Sequence, residues 1–576
     1  MRTDRRQGPG ERPGDSPHPS AAARGRTALT VMGRLALAAL SAVIMVMSVP
    51  TIDAWPLMWV GLLPMVPVAL GAATPRRAFF YGWWNGAIAM TWAFYWMKGL
   101  LERFGHMPGI EAIPIMMLLT GYQGLEFALW AWLVHRLARR RPDLPLAWVV
   151  PLPMIAIELL VPQIFPFYLA ISQAWVPPVI QVADLTRPMG VTFVLLMVTG
   201  ALYDAGRAVR RARVATPPAP LRAQFAAAAR SLRIPAAVVA FTLLYGAVRI
   251  HQIDARRAAA PKARVGLVQA NVGMSDKWDP LERGRLLDVH QRLSSELTAE
   301  GADLIVWPES SYPYALSRNM RQDFPLGDPR RIRGAGNTPL VFGAVTMDGY
   351  PQTGKRRFPY NTALILDQQG RVAGTFDKVF LLIFGEYIPF YDKIPWFTKL
   401  FPEASNFNRG AAPGSFPFTF KGHDYKLGPL ICYEDILPGF TRQTTALDPN
   451  LLVNITNDAW FGKTFEPYQH LALAVFRSVE NRLEMVRAVN TGVSAHVDAV
   501  GRVRATLPAV DPDAEPPPQP MKMMADAALL ERGGVYARVG DLFAWGCTLV
   551  FGGLLFGVPE RLRRRRSLRQ GRRARR

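Results

Sequence analysis

Residues 427–435 read LGPLICYED, an apolar run of strand character that ends on Cys432 and is followed at once by an aromatic residue and two acids. Around it lie similar β-branched, apolar runs at 264–272 (RVGLVQANV), 303–307 (DLIVW), 339–346, 361–367, 450–456, 485–489 and 493–498, with helical patterns at 280–299 and 467–483. Strands alternating or paired with helices predict an α/β domain with central sheets, here over 251–510. Two more places repeat the pattern of Cys432, with an ionisable residue at or just after an apolar strand, where α/β sheets usually present their sites. Glu309 follows the strand ending at Trp307 in WPES, and Lys378 sits in FDKVFLLIFGEYIPF, eight residues before Glu386. A thiol nucleophile needs a base to take its proton and a cation to stabilise the developing oxyanion. Glu, Lys and Cys supply those functions without a metal. Each residue alone also fits a plainer reading, as a solvated carboxylate, a surface ammonium or a core thiol.

The rest of the chain has a different solvent. Of 576 residues 50% are hydrophobic and only 19% charged, yet the net charge is +23. Apolar runs at 31–49, 55–73, 78–98, 112–134, 146–168, 189–206, 234–250 and 539–558 approach the roughly 20 residues a bilayer core requires. Aromatic residues such as Trp55, Trp59, Trp83 and Trp84 mark their ends. Arginines fall in alternate gaps, and basic loops stay in the cytoplasm. The five stretches so assigned, counted with Asp204 at the inner end of the sixth run, hold 29 Arg and six acids, a surplus equal to the whole net charge. The basic balance therefore records topology and does not indicate a nucleic-acid partner.

The expected organisation is a cytoplasmic basic tail (1–30), seven transmembrane helices (31–250), an external catalytic domain (251–510), a Pro-rich linker (511–538), an eighth helix (539–558) and a cytoplasmic Arg-rich tail (559–576). Helix one resembles a signal peptide, but no small-x-small pattern follows Val49, so it is expected to be retained. The two cysteines, Cys432 and Cys547, sit in different environments and are not expected to pair.

WPES at Glu309, the Lys378 to Glu386 segment and LICYED around Cys432 resemble the signatures of the nitrilase, or carbon-nitrogen hydrolase, superfamily. With QANV and KW at 269–278, GEYIPF at 385–390, ITNDAWFG at 455–462, PYQH at 467–470 and RAVNTGVSA at 487–495, the chain resembles the membrane-bound apolipoprotein N-acyltransferase family of that superfamily. The resemblance implies eight membrane helices and an α-β-β-α sandwich in a bacterial inner membrane, with the catalytic domain on the periplasmic face. It also implies a two-step acyl transfer with Glu309 as general base, Lys378 at the oxyanion and Cys432 as nucleophile. The donor would be a membrane phospholipid, phosphatidylethanolamine first among them. The acceptor would be the α-amino group of a diacylglyceryl-cysteine on an exported apolipoprotein. No cofactor and no metal are implied, and a monomer is expected. By the same resemblance Glu386 and Glu434 orient the lysine and the thiol, Tyr433 borders the acyl site and Trp278 holds lipid. One departure stands out: Val379–Ile383 replaces the family's usual residues between Lys378 and the Gly385-Glu386 pair.

Independently of the resemblance, FYDKIPWFTKLF (390–401) crowds Trp396 and Phe397 beyond Glu386, a composition suited to the lipid headgroup boundary. Asn457, Asp458 and Trp460 read as structural residues near the cysteine, and His470 as a helical histidine satisfied by its neighbours. Two other functions use parts of the same pattern: a membrane-tethered amidase or nitrilase acting on small amides, and a non-catalytic lipid-binding scaffold.

Overall fold

The computed structural model describes residues 21–557 other than 51, 105–106, 349–358, 384, 388–392 and 394–405. In hydrocarbon every backbone N–H and C=O needs an internal partner, so the apolar runs become helices: α1 (Ala21–Ser48), α2 (Pro75–Ala93), α3 (Gly109–Gln123), α4 (Leu125–Arg140), α5 (Pro151–Leu160), α6 (Pro188–Arg213) and α7 (Leu221–Ala259), among shorter pieces. Four described stretches are long and apolar enough to cross a bilayer, Thr30–Ser48, Gly109–Arg140, Pro188–Arg213 and Leu221–Ala259. Three further apolar helices, Trp55–Gly71, Leu146–Leu160 and Leu542–Phe556, are shorter.

The runs expected from hydropathy are thus unequal. That at 146–168 leaves the helix after Leu160, because Pro162 and Pro166 cannot continue it. That at 78–98 divides into α2 and a second helix, Trp96–Phe104, while that at 234–250 is the middle of a 39-residue helix. Small residues let spans approach closely: a Cβ on Gly86 would lie 2.4 Å from the carbonyl oxygen of Gly124, so α2 meets the α3–α4 junction backbone to backbone.

Beyond α7 the chain builds two sheets. The strands are β1 (Lys262–Gln269), β2 (Leu304–Val306), β3 (Leu316–Ser317), β4 (Leu340–Met347), β5 (Tyr360–Leu366), β6 (Val372–Asp377), β7 (Phe416–Phe420), β8 (His423–Ile431), β9 (Leu451–Asn457), β10 (Met485–Asn490), β11 (Ser494–Val497), β12 (Val503–Leu507) and β13 (Met521–Ala528). One sheet runs β13-β1-β2-β4-β5-β6 with β3 beside β4, and the other β12-β11-β10-β9-β8-β7. Val265, Val341 and Ile365 of the first share an apolar core with Phe418, Leu430 and Val453 of the second. On the far face of the first sheet, helix α8 (Arg283–Ala299) buries Leu287, Leu293 and Leu297 against Ile305 and Phe342. On the far face of the second, helix α9 (Glu466–Asn481) packs Leu471, Val475 and Val479 in one apolar cluster with Leu452, Met485 and residues of the membrane helices. Helix α10 (Leu542–Phe556) ends the described chain.

The expected linker, 511–538, needs correction. Its middle contains β13, which pairs antiparallel with β1 from Lys262↔Ala528 to Gln269↔Met521. The prolines at 516–518 and 520 stop just short of it, so every β13 residue can donate to the ladder.

Candidate active site

Each chemical residue is presented by the end of a strand. Glu309 follows β2 behind Trp307, which is wholly buried and donates its indole N–H to Ser294 Oγ at 2.7 Å. The Glu309 turn lies against β4 at Gly343, where a Cβ would be 2.4 Å from Ser310 N and 2.7 Å from Glu309 Cα. Only glycine admits that approach. Lys378 follows β6, its backbone N–H donating to Asn361 O at 2.8 Å and its carbonyl accepting from Gly410. Cys432 follows β8 and opens a short 3₁₀ turn with φ +50°, a left-handed conformation that non-glycine residues hold only when their surroundings enforce it.

These three turns converge. Lys378 Nζ lies 3.2 Å from Glu309 Oε1 and 2.8 Å from Glu386 Oε2, all of them buried. Asn361, from β5, donates through one amide nitrogen to Glu309 Oε1 at 2.6 Å and to Glu386 Oε1 at 2.8 Å. Glu309 Oε2 is buried with no hydrogen-bond partner among the described residues, which leaves it free to receive a proton. Burial alone would push the Lys378 ammonium down, but the Glu309 and Glu386 carboxylates outweigh it and hold its pKa well above that of an ordinary lysine. Burial, reinforced by the Glu309 charge and opposed by Lys378, keeps the Cys432 thiol pKa well above its usual value. The resting group is therefore a thiol, and attack requires a base in the same step.

Glu434 fixes the relation between nucleophile and cation. Its Oε1 accepts from the N–H groups of Val379 (2.7 Å) and Phe380 (3.1 Å), and its Oε2 from Ile431 N (2.9 Å). The residues flanking Lys378 and Cys432 are thus tied to one buried carboxyl, whose pKa burial lifts to about 8. The unusual Val379–Ile383 stretch folds back so that Leu382 N donates to Glu386 Oε2 at 2.8 Å, and Glu386 reaches Lys378.

Sequence reasoning missed two members of this cluster. Asn361 was detectable as a lone amide in an otherwise apolar strand. Lys277 is buried beneath Trp278 and donates to the Glu309 carbonyl at 3.1 Å; burial pushes it down to about 8 against the pull of Glu309 and Cys432. Trp278 itself is 52% exposed, with the Lys277 ammonium 5.9 Å from its ring centre. Trp396 and Phe397 lie outside the described residues.

The cavity at Cys432 lies between the two parts of the chain, and most of its aromatic wall comes from the membrane part: Phe94, Trp96, Phe165 and Phe167 face Tyr433 and Phe461 across it. Tyr433 docks on that wall, its hydroxyl donating to Ile164 O at 3.1 Å and its ring edge-on to Phe165. Trp96 Nε1 donates to Gln469 Oε1 at 3.3 Å, and Gln469 Nε2 to Ala93 O at 3.1 Å, clamping α9 to the end of α2.

On the α9 wall of the cavity, His470 Nε2 meets Asp435 Oδ1 at 2.9 Å and Nδ1 meets Asp458 Oδ1 at 3.3 Å, with Glu466 at 3.8 Å and Arg487 on the far oxygen of Asp435. Asp458, Glu466 and His470 could geometrically surround a cation. Burial opposes protonation of His470, but the two aspartates prevail over it and over Arg487 and raise its pKa to about 10. A doubly protonated ring has no lone pair for a metal. Because the folded value exceeds the unfolded one, the stability this group contributes is full below about pH 6.5. It declines above that and is gone once pH passes about 10. The unfolding midpoint of His470→Asn should accordingly lie furthest below the unaltered protein at pH 6 and converge on it towards pH 10. A gap independent of pH would show that the ring acts only by packing.

Comparison with known proteins fits both halves of the chain. Residues 41–201 match the apolipoprotein N-acyltransferase N-terminal domain, and residues 264–511 match carbon-nitrogen hydrolase. The apolipoprotein N-acyltransferase of Geobacter metallireducens is 33% identical over 517 residues, covering 89% of this chain and 92% of that protein. The chain belongs to the apolipoprotein N-acyltransferase family. The family's Bdellovibrio bacteriovorus enzyme is 28% identical over 76% of this chain and 79% of its own. An amidase from Nesterenkonia sp. AN1 is 20% identical, with a TM-score of 0.33 over 48% of this chain and 96% of the amidase. The protein is thus a membrane acyltransferase built on a nitrilase-like domain.

Proposed function

We propose that Cys432 takes a fatty acyl group from a membrane phospholipid and passes it to the α-amino group of the diacylglyceryl-cysteine that begins an apolipoprotein. As the thiol attacks the ester carbonyl, Glu309 Oε2 accepts its proton. Lys378 faces the oxyanion of the tetrahedral intermediate, and the proton leaves with the lysophospholipid alkoxide. In the second half the free amine attacks the Cys432 thioester, Glu309 removes the amine proton and returns it to the departing thiolate. Glu386 and Asn361 act by holding Lys378 and Glu309 in place, and Trp278 borders the donor at the mouth of the site.

The observation that carries this reading is the cavity at Cys432, whose aromatic wall comes from the membrane part. An apolar, aromatic wall suits an aliphatic chain, whereas hydrolysis of a small amide does not use it. The eight apolar runs are taken as crossing the bilayer, the shorter ones by local thinning and snorkelling of flanking residues, with both termini cytoplasmic and the two-sheet domain on the periplasmic face.

The full chain, given phospholipid labelled in its acyl group and a synthetic diacylglyceryl-cysteinyl peptide with a free N-terminus, should yield labelled N-acyl peptide and lysophospholipid in equal amounts. Release of free fatty acid with no peptide product would instead identify a lipid hydrolase.

A further inference from the structure

Where α7 gives way to β1, the segment 529–535 folds beside it and leaves a cavity of about 860 Å³. Its walls carry five guanidinium groups, Arg249, Arg256, Arg482, Arg532 and Arg538, against one carboxylate, Glu531. Three of the five are engaged within the protein. Arg249 and Arg482 share Asp184 at 3.0 and 2.7 Å, and Arg532 donates to Thr445 O at 2.9 Å. Arg256 and Arg538 have no side-chain hydrogen bond or ion pair among the described residues. Gathering like charges in one concavity is unfavourable unless an anion joins them, and it raises the local concentration of anions.

The remaining walls are apolar, with Leu185, Ile253, Leu529 and Leu530 between the arginines. On the membrane side of the cavity the flanking chain exposes apolar side chains: Phe241, Leu244 and Val248 on α7, and Val539 and Leu542 where the chain passes from Arg538 into α10, are each about half exposed or more. A cationic cleft continuous with two apolar ridges matches a molecule that is anionic at one end and aliphatic at the other. A free inorganic anion would have no use for the ridges.

We propose that this cavity binds the phosphate headgroup of an anionic diacyl phospholipid, with Arg256 and Arg538 on the phosphate and the acyl chains along the exposed faces of α7 and α10. The site is separate from the Cys432 cavity and shares no lining residue with it. Helix α9 runs between them, with His470 at the catalytic cavity and Arg482, just past its C-terminus, at the arginine cavity. Twelve residues of helix set them about 18 Å apart. A lipid held here is a fixed neighbour of the enzyme, placed away from the nucleophile.

Full-length protein released by native mass spectrometry from nanodiscs of phosphatidylcholine doped with phosphatidylglycerol should retain one phosphatidylglycerol, with at least tenfold preference. The Arg256→Gln/Arg538→Gln protein should lose that preference, and Arg256→Lys/Arg538→Lys should keep most of it. Equal retention of the two lipids by the unaltered protein, or an unchanged preference in the Gln pair, overturns the proposal. Displacement of the lipid by millimolar inorganic phosphate would also overturn it, by identifying a free-anion site. Should the Gln pair not elute as a folded species, Arg538→Gln alone serves the same comparison.

Discussion

Glu309→Gln is expected to slow acylation of Cys432 by about 10²–10⁴-fold, the usual contribution of a positioned general base. The substitution is nearly isosteric. Gln can still accept from Asn361 and Lys378, but it offers no basic oxygen in place of Oε2, which is buried and unpartnered. Its pH dependence separates a base from a structural support. The substitution removes the Glu309 charge but leaves the burial that is the larger cause of the raised thiol pKa, so the variant depends on the small thiolate fraction present at each pH. Its rate should climb about tenfold per pH unit between pH 7 and 9, as that fraction does. The unaltered enzyme should vary far less over the same range. A variant that is slow but equally flat in pH would assign Glu309 to holding Lys378 and not to proton transfer.

Lys378→Met should be nearly as severe and should cost stability as well. Loss of one preorganised oxyanion partner typically lowers the rate by about 10²–10³-fold. The side chain is also the counter-ion of two buried carboxylates, at 3.2 and 2.8 Å. Removing it leaves Glu309 and Glu386 joined only through Asn361. Breaking a buried pair in this way costs about 3–5 kcal/mol unless one carboxyl takes up a proton. The expected result is a lower unfolding midpoint that partly recovers at acidic pH, together with slow acylation at every pH. Lys378→Arg should not restore the rate, since a planar fork cannot occupy the position of a compact ammonium between two carboxylates. Normal acylation in either variant would remove Lys378 from the mechanism.

The residues proposed to do chemistry stood out in the sequence because each was read at or just after an apolar strand, where an ionisable group has few structural reasons to be. The core strands were legible for the same reason, their apolar runs being too short for membrane helices and bounded by polar turns. What escaped reading was made by tertiary packing. The aromatic wall at Cys432 includes Phe165 and Phe167, which hydropathy assigned to a membrane helix; Pro162 and Pro166 release that segment so that it can line the site. Strand β13 was hidden by the proline run before it, although Met521, Met523, Ala525 and Ala527 alternate as a strand should. Lys277 entered only as part of the KW pair and was given no role, since a lysine beside a tryptophan is ordinarily a surface pair and only the fold buries it beneath the Glu309 turn. The arginines of the α7 cavity likewise come from three separate segments, and no local pattern unites them.

The central claim is that Cys432 carries the acyl group between donor and acceptor, and one measurement bears on it most directly. The full chain incubated with acyl-labelled phosphatidylethanolamine and no acceptor should acquire one label that hydroxylamine releases, mapped to Cys432 and absent from Cys432→Ala. An intact protein that never acquires the label, or a Cys432→Ala protein that acquires it equally, would contradict the claim.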